Sequence, residues 1–328
     1  MSSGTVAYSQ AGRRSVSDDV MAVMLAAPTL AAVPDRPRDD ARGVLSRPAD
    51  GPDIVLRVAD HDDGVAEVFL PPAVGNGFGP PDGSSTGLAA STSAAGPLLY
   101  ALHGGFWRAD FDRRHLRPLA VALRARGWVV VLPEYARVGG ARPGARWPLL
   151  VDDLRTVRRR VPGLLAEVAP GRVAPGAPVL VGHSAGGQLA LWWALDAAGE
   201  PDGVRPRHVL ALAPVADLRR ATAERLGDDA VAALLGGGSR SAPAGVGEPD
   251  VAARLRAGEH PAGCRVVVLH GEEDLQVPVA HSTDLGADVP TVDVRQLPGV
   301  EHFALIDPLS AAWPDVVATL PPRSSLDG

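Results

Sequence analysis

Residues 177–197 read APVLVGHSAGGQLALWWALDA. The stretch opens on the apolar run Val179 to Val181, turns through Gly182-His183-Ser184-Ala185-Gly186, and continues as a segment apolar nearly all round. A short apolar run followed by glycines and then a longer apolar segment reads as a buried strand running straight into a buried helix. A strand that turns directly into a helix holds the intervening serine in a strained conformation. Side chains on its neighbours would clash, so the glycines at 182 and 186 are physically required. The pattern G-x-S-x-G in that context makes Ser184 a candidate nucleophile; the plainer alternative is a Gly-Ser turn.

The same grammar repeats outward. PLLYALHG (97–104) is a strand, 112–127 a helix ending at Gly127, WVVVLPEY (128–135) a strand and 148–166 a helix. Beyond the quoted stretch, HVLALAP (208–214), CRVVVLHG (264–271) and TVDVRQLPG (291–299) read as strands, and PLSAAWPDVVATL (308–320) as the last helix. Strands alternating with helices imply right-handed crossovers and a mainly parallel sheet covered on both faces. The earlier pair DIVLRV and VAEVFL, within 53–70, is separated by the turn-prone ADHDDG and predicts a short antiparallel N-terminal edge. The fold class is therefore α/β. Its domain spans 53–320, with an N-terminal extension (1–52) and a tail (321–328). Residues 71–97, rich in Gly, Ser, Pro and Ala, read as a flexible insertion, and 214–263 is longer than one crossover needs and is a candidate lid.

Ligands in such sheets bind beyond the carboxyl ends of the strands, and the chemically unusual residues fall there. A serine hydroxyl needs a base, and the base needs an orienting carboxylate. The expected chain order is Ser, acid, His. HGEEDLQVP (270–278) supplies Asp274, with Glu272 and Glu273 as rivals; Asp274 lies deepest in its loop, just before LQVP, which reads as the start of the next helix. The alternative is that Asp274 only caps that helix. LPGVEHFALIDP (297–308) supplies His302 after the last strand. His260 and His281 are out of position and read as surface histidines, whereas His103, His183 and His270 sit at strand ends and read as structural hydrogen-bonders.

Attack on a carbonyl builds negative charge on oxygen, which preorganised N–H groups must meet. Ala185, after the nucleophile and at the positive end of its helix, is one expected donor. Gly105 and Phe106, in the loop HGGFWR (103–108), are the others. Trp107 and His183 are candidate pocket residues; for Trp107 the alternative is packing beneath the loop.

Composition narrows the partners. The net charge is −6 and all the basic residues are arginine, with no basic face of the kind nucleic acids select. One cysteine, Cys264, excludes an internal disulfide and a Cys-rich metal site. Residues 20–33 are apolar but are preceded by Asp18 and Asp19 and interrupted by Pro28. They read as a short helix capped by Ser17, not as a signal peptide. No apolar run reaches the length that spans a bilayer. The expectation is a cytoplasmic protein acting on a small molecule, with no cofactor, no metal, no membrane and no nucleic acid; oligomeric state stays open.

Taken together, HGGFW, GHSAGG, HGEEDLQVP and EHF resemble the α/β-hydrolase superfamily from about residue 53 to 320. Within it the likeness is to the esterase, lipase and arylformamidase group with an HGG oxyanion loop. HGGFW resembles the HGGxW signature of serine-type kynurenine formamidases, with Phe106 where HGGG esterases carry a third glycine. The resemblance implies an α/β-hydrolase fold and hydrolysis of an aryl formamide such as N-formylkynurenine. A broad short-chain carboxylesterase is the alternative, and a non-catalytic ligand-binding hydrolase fold a remote one.

Overall fold

The computed structural model describes residues 41–72, 95–199, 205–236 and 248–322. The expected helix at 18–33, most of the insertion at 71–97, part of the 214–263 segment and most of the C-terminal tail lie outside the described residues.

Eight strands form one sheet: β1 (Ile54–Arg57), β2 (Val65–Phe69), β3 (Leu98–Leu102), β4 (Val129–Pro133), β5 (Val179–His183), β6 (His208–Leu212), β7 (Arg265–Gly271) and β8 (Val292–Leu297). Their order is β1-β2-β4-β3-β5-β6-β7-β8. Strands β3 to β8 run parallel, and β1 and β2 form the antiparallel edge. Strands β3 to β6 are buried along their whole length, as continuous apolar runs require. β1 alternates buried and less buried residues, the mark of an edge.

The two-residue period of a strand divides the core in two. Tyr100, Leu102, Val129, Val131, Leu180, Val209 and Val266 face one layer, which contains α2 (Trp147–Val168), α3 (Ala185–Ala198), α6 (Val251–Arg256) and α7 (Ala280–Asp288). Their neighbours Leu99, Ala101, Val130, Val179, Val181, Leu210 and Val267 face the other, with α1 (Arg117–Arg124) and α8 (Trp313–Thr319). Helix α3 runs between its neighbours with nearly every side chain buried, which is why it is apolar all round. Trp193 packs on Tyr100 at 5.0 Å between centroids, and Trp192 on Trp147 at 5.4 Å.

Two local expectations shift. The helix after Asp274 begins at Ala280 and not at the LQVP segment. The long segment between β6 and β7 contains α4 (Leu218–Ala223), α5 (Leu226–Leu235) and α6. At its α4–α5 turn Gly227, Asp228 and Asp229 all take left-handed backbone. Among the described residues no helix is long and apolar enough to cross a membrane.

Candidate active site

The loops after β3, β5, β7 and β8 carry the predicted residues to one edge of the sheet. Ser184, between β5 and α3, has φ 57° and ψ −119°, far from any conformation its side chain favours. Neighbouring backbone enforces this. A Cβ on Gly182 would stand 2.1 Å from the Gly186 carbonyl oxygen, and one on Gly186 would stand 2.1 Å from that of Leu102. The Ser184 amide donates to the Leu212 carbonyl at 2.8 Å, tying the turn to β6.

His302 Nδ1 lies 2.6 Å from Asp274 Oδ2. The other carboxylate oxygen accepts the backbone N–H groups of Gln276 and Val277, each at 2.8 Å. His270 Nε2 approaches Oδ2 from behind at 3.2 Å. Burial would push the Asp274 carboxyl upward, but the hydrogen bonds from His270 and His302, the His302 charge and the Val277 amide outweigh it. The group is held well below the usual carboxylate range. Asp274 therefore stays ionised, while the rivals Glu272 and Glu273 are exposed. With Nδ1 engaged by Asp274, Nε2 is the His302 nitrogen left to exchange a proton.

The His302 ring lies 4.4 Å from that of His183, the residue before Ser184. His183 Nε2 donates to the His302 carbonyl at 3.0 Å, fixing the loop after β8 against the turn at Ser184. His183 is buried, and burial followed by the charges of His302 and His115 depresses it well below its ordinary value, so it stays neutral. A 3₁₀ turn, His302–Ile306, follows, with Glu301 capping it through the Ala304 amide at 3.0 Å. Arg47, which follows the N-terminal 3₁₀ turn Ala41–Ser46, pairs with Asp307 at the far end of this turn.

The HGGFWR loop presses on the same place. A Cβ on Gly104 would come within 3.0 Å of Ser184 Cβ. Gly105, Phe106 and Trp107 follow with φ of 106°, 50° and 56°, three left-handed residues in a row. For Phe and Trp this conformation costs on the order of 1–3 kcal/mol each, a strain the surrounding packing must hold. The amides of Gly105, Phe106 and Ala185 have no acceptor among the described residues, so the fold leaves three donors unspent beside Ser184.

The candidate pocket residue Trp107 is fully buried, and its indole N–H donates to Gln188 Oε1 at 3.2 Å. Gln188 Nε2 in turn donates to the Pro249 carbonyl at 2.8 Å. Phe106 is half-buried; its ring occupies the space that a Gly227 side chain would fill, with Cγ 2.6 Å from that Cβ position. Arg108 Nη2 donates to the Asp228 carbonyl at 2.5 Å. All three side chains thus meet the segment between β6 and β7 directly or through Gln188.

Sequence reasoning missed Glu134, Tyr135 and Gln188. Glu134 and Tyr135 directly follow β4, and a carboxylate at the carboxyl end of a buried strand is the signal that could have found them. His281, expected at the surface, is buried and meets Glu224 Oε2 at 2.7 Å, joining α7 to the end of α4. His260 is exposed, as expected.

Solved structures show the same architecture. Esterase B from Lactobacillus rhamnosis is 20% identical with a TM-score of 0.58, the alignment covering 85% of this chain and 86% of that one. Apo Thermogutta terrifontis esterase 2 is 19% identical with a TM-score of 0.53, covering 80% and 90%. A truncated carbohydrate esterase from gut microbiota is 15% identical with a TM-score of 0.53, covering 79% and 90%. At such identities the likeness shows the fold alone. No curated protein matches the chain. The family model described as alpha/beta hydrolase fold matches residues 99–302, from β3 to the histidine that meets Asp274. That match spans more than half of the 328 residues, and the chain belongs to the alpha/beta hydrolase fold family.

Proposed function

We propose that the protein is a serine hydrolase that transfers a small acyl group to water, with Ser184 as nucleophile, His302 as base and acid, and Asp274 as the orienting carboxylate. The observation that carries this reading is the 2.6 Å contact between His302 Nδ1 and Asp274 Oδ2 beside a serine held at φ 57°. His302 Nε2 takes the Ser184 proton as Oγ attacks the acyl carbon. The oxyanion is met by the amides of Gly105, Phe106 and Ala185, a donor typically being worth about 3–4 kcal/mol. The leaving group departs with the proton from His302; water, activated by the same nitrogen, then releases the acid.

The first substrate class is a short-chain carboxylic ester. Phe106 stands at the oxyanion loop in a left-handed conformation, its ring braced by Gly227. We assign it to the acyl side, where a ring limits chain length. Trp107, buried and bonded to Gln188, acts as a brace beneath the loop. The turn at Gly227 and Asp228, which meets Phe106 and Arg108, forms a lid wall. The HGGFW loop favours a second reading, an arylformamidase acting on N-formylkynurenine, since formyl is the smallest acyl group. The test is purified enzyme on p-nitrophenyl acetate and on N-formylkynurenine beside Ser184→Ala. Turnover of either, lost in the variant, supports the serine reading. Ester turnover without formamide turnover removes the formamidase reading, and no turnover of either overturns the small-acyl assignment.

A further inference from the structure

The oxyanion loop has its own built support, and it centres on a histidine that the acyl-transfer scheme does not use. We propose that His103 is a positioning residue that aims the Gly105 amide at the oxyanion, its ring held by Glu134 and Tyr135. The inference rests on the Ser184 reading above.

His103 is buried and its Nδ1 donates to the Gly104 carbonyl at 2.8 Å. In a trans peptide the C=O and the following N–H point in opposite directions. Holding the Gly104 oxygen against the imidazole therefore turns the Gly105 N–H away from it. That peptide belongs to the segment lying against Ser184. Gly105, at φ 106°, has little intrinsic preference for this orientation, so an external clamp is needed.

The ring itself is fixed. His103 Nε2 meets Glu134 Oε1 at 2.8 Å. Tyr135 stacks on the imidazole at 4.3 Å and 7°, and its hydroxyl donates to the His103 carbonyl at 2.7 Å. Glu134 is anchored in turn by the amide and guanidinium of Arg113, each at 3.2 Å, and by Arg137 Nε at 3.3 Å. Burial would raise Glu134, but His103, Arg137 and the Arg113 amide outweigh it and hold it at about 2, so it remains a carboxylate acceptor. His103 alone touches the Gly104 carbonyl, and Glu134, Tyr135, Arg113 and Arg137, from two further segments, hold its ring in place directly or through Glu134.

The test measures kcat and KM on p-nitrophenyl acetate and the inhibition constant of phenylboronic acid, whose tetrahedral adduct carries the oxyanion. His103→Ala is expected to lower kcat by about 10²-fold, to leave KM nearly unchanged and to weaken the boronate in parallel. His103→Asn, whose amide reaches the Nδ1 position, retains more activity than His103→Gln, whose amide reaches toward Glu134. This contrast holds even where the alanine variant fails to fold. Wild-type kcat and boronate affinity in folded His103→Ala, or glutamine matching or exceeding asparagine, overturns the inference while leaving an inactive Ser184→Ala in force. An active Ser184→Ala overturns both.

Discussion

Gly104 and Ser184 lie so close that a Cβ on the glycine would stand 3.0 Å from the serine Cβ. Two loops more than seventy residues apart in the chain are thereby pressed into one site. The contact accounts for the three left-handed residues in the loop after β3: the backbone, and not a side chain, is what approaches Ser184.

Asp274→Asn keeps the shape but removes the charge that orients His302. By analogy with triads of known mechanism, kcat should fall by about 10³–10⁴-fold with little change in KM. Steady-state kinetics on p-nitrophenyl acetate check it; a loss under tenfold would return the acid role to Glu272 or Glu273.

Gly186→Ala drives a Cβ to 2.1 Å from the Leu102 carbonyl oxygen, which belongs to β3 and cannot swing aside. Overpacking against fixed backbone predicts a cost of about 3 kcal/mol or more. The melting temperature should fall by at least ~6 °C for a domain of this size. Differential scanning calorimetry of the purified variant decides this.

Trp107→Phe leaves Gln188 Oε1 without its donor inside the core. The variant should lose about 1–3 kcal/mol of stability, with KM for small esters unchanged. A raised KM at unchanged stability would instead place the indole against substrate.

Three buried histidines predict a pH-dependent stability. His115 is lowered to about 3 by burial and then by the neighbouring His103, and His208 to about 4 by burial and then by Arg265. His183 is also lowered well below its ordinary value, chiefly by burial. The unfolded chain takes up protons on these rings near pH 6.5 while the folded chain does not, so stability rises with pH across that window. From pH 7 to pH 5 His115 and His208 should each remove about 1–2 kcal/mol, with His183 acting in the same direction, moving the urea midpoint downward. A midpoint that is flat over this range would contradict their burial as neutral rings.

The mainly parallel sheet, its antiparallel edge and the glycine-flanked turn at Ser184 were legible because each depends on local pattern: apolar runs for buried parallel strands and glycines where backbone must pass backbone. Asp274 and His302 stood out as polar residues just beyond strand ends, and the structure brings these two together. What was not legible depends on partners distant in sequence. Nothing near Trp107 announces that Gln188 will receive its indole, and nothing near Phe106 announces that Gly227 will leave room for its ring. His281 looked like a surface residue because its partner, Glu224, lies in the segment whose path the sequence does not specify. Asp274 was weighed as a helix cap, yet the helix begins only at Ala280; its carboxylate instead closes a tight turn through the Gln276 and Val277 amides.

The central claim is that Ser184 is the nucleophile. The most direct measurement is labelling with diethyl p-nitrophenyl phosphate, read by intact mass and by mapping of the tryptic peptide 173–207, which contains Ser184. The account predicts one diethylphosphoryl adduct per chain, on Ser184, appearing in step with loss of esterase activity and absent from Ser184→Ala, which should also be inactive. Turnover at the wild-type rate in Ser184→Ala, or inactivation accompanied by an adduct elsewhere, would contradict it.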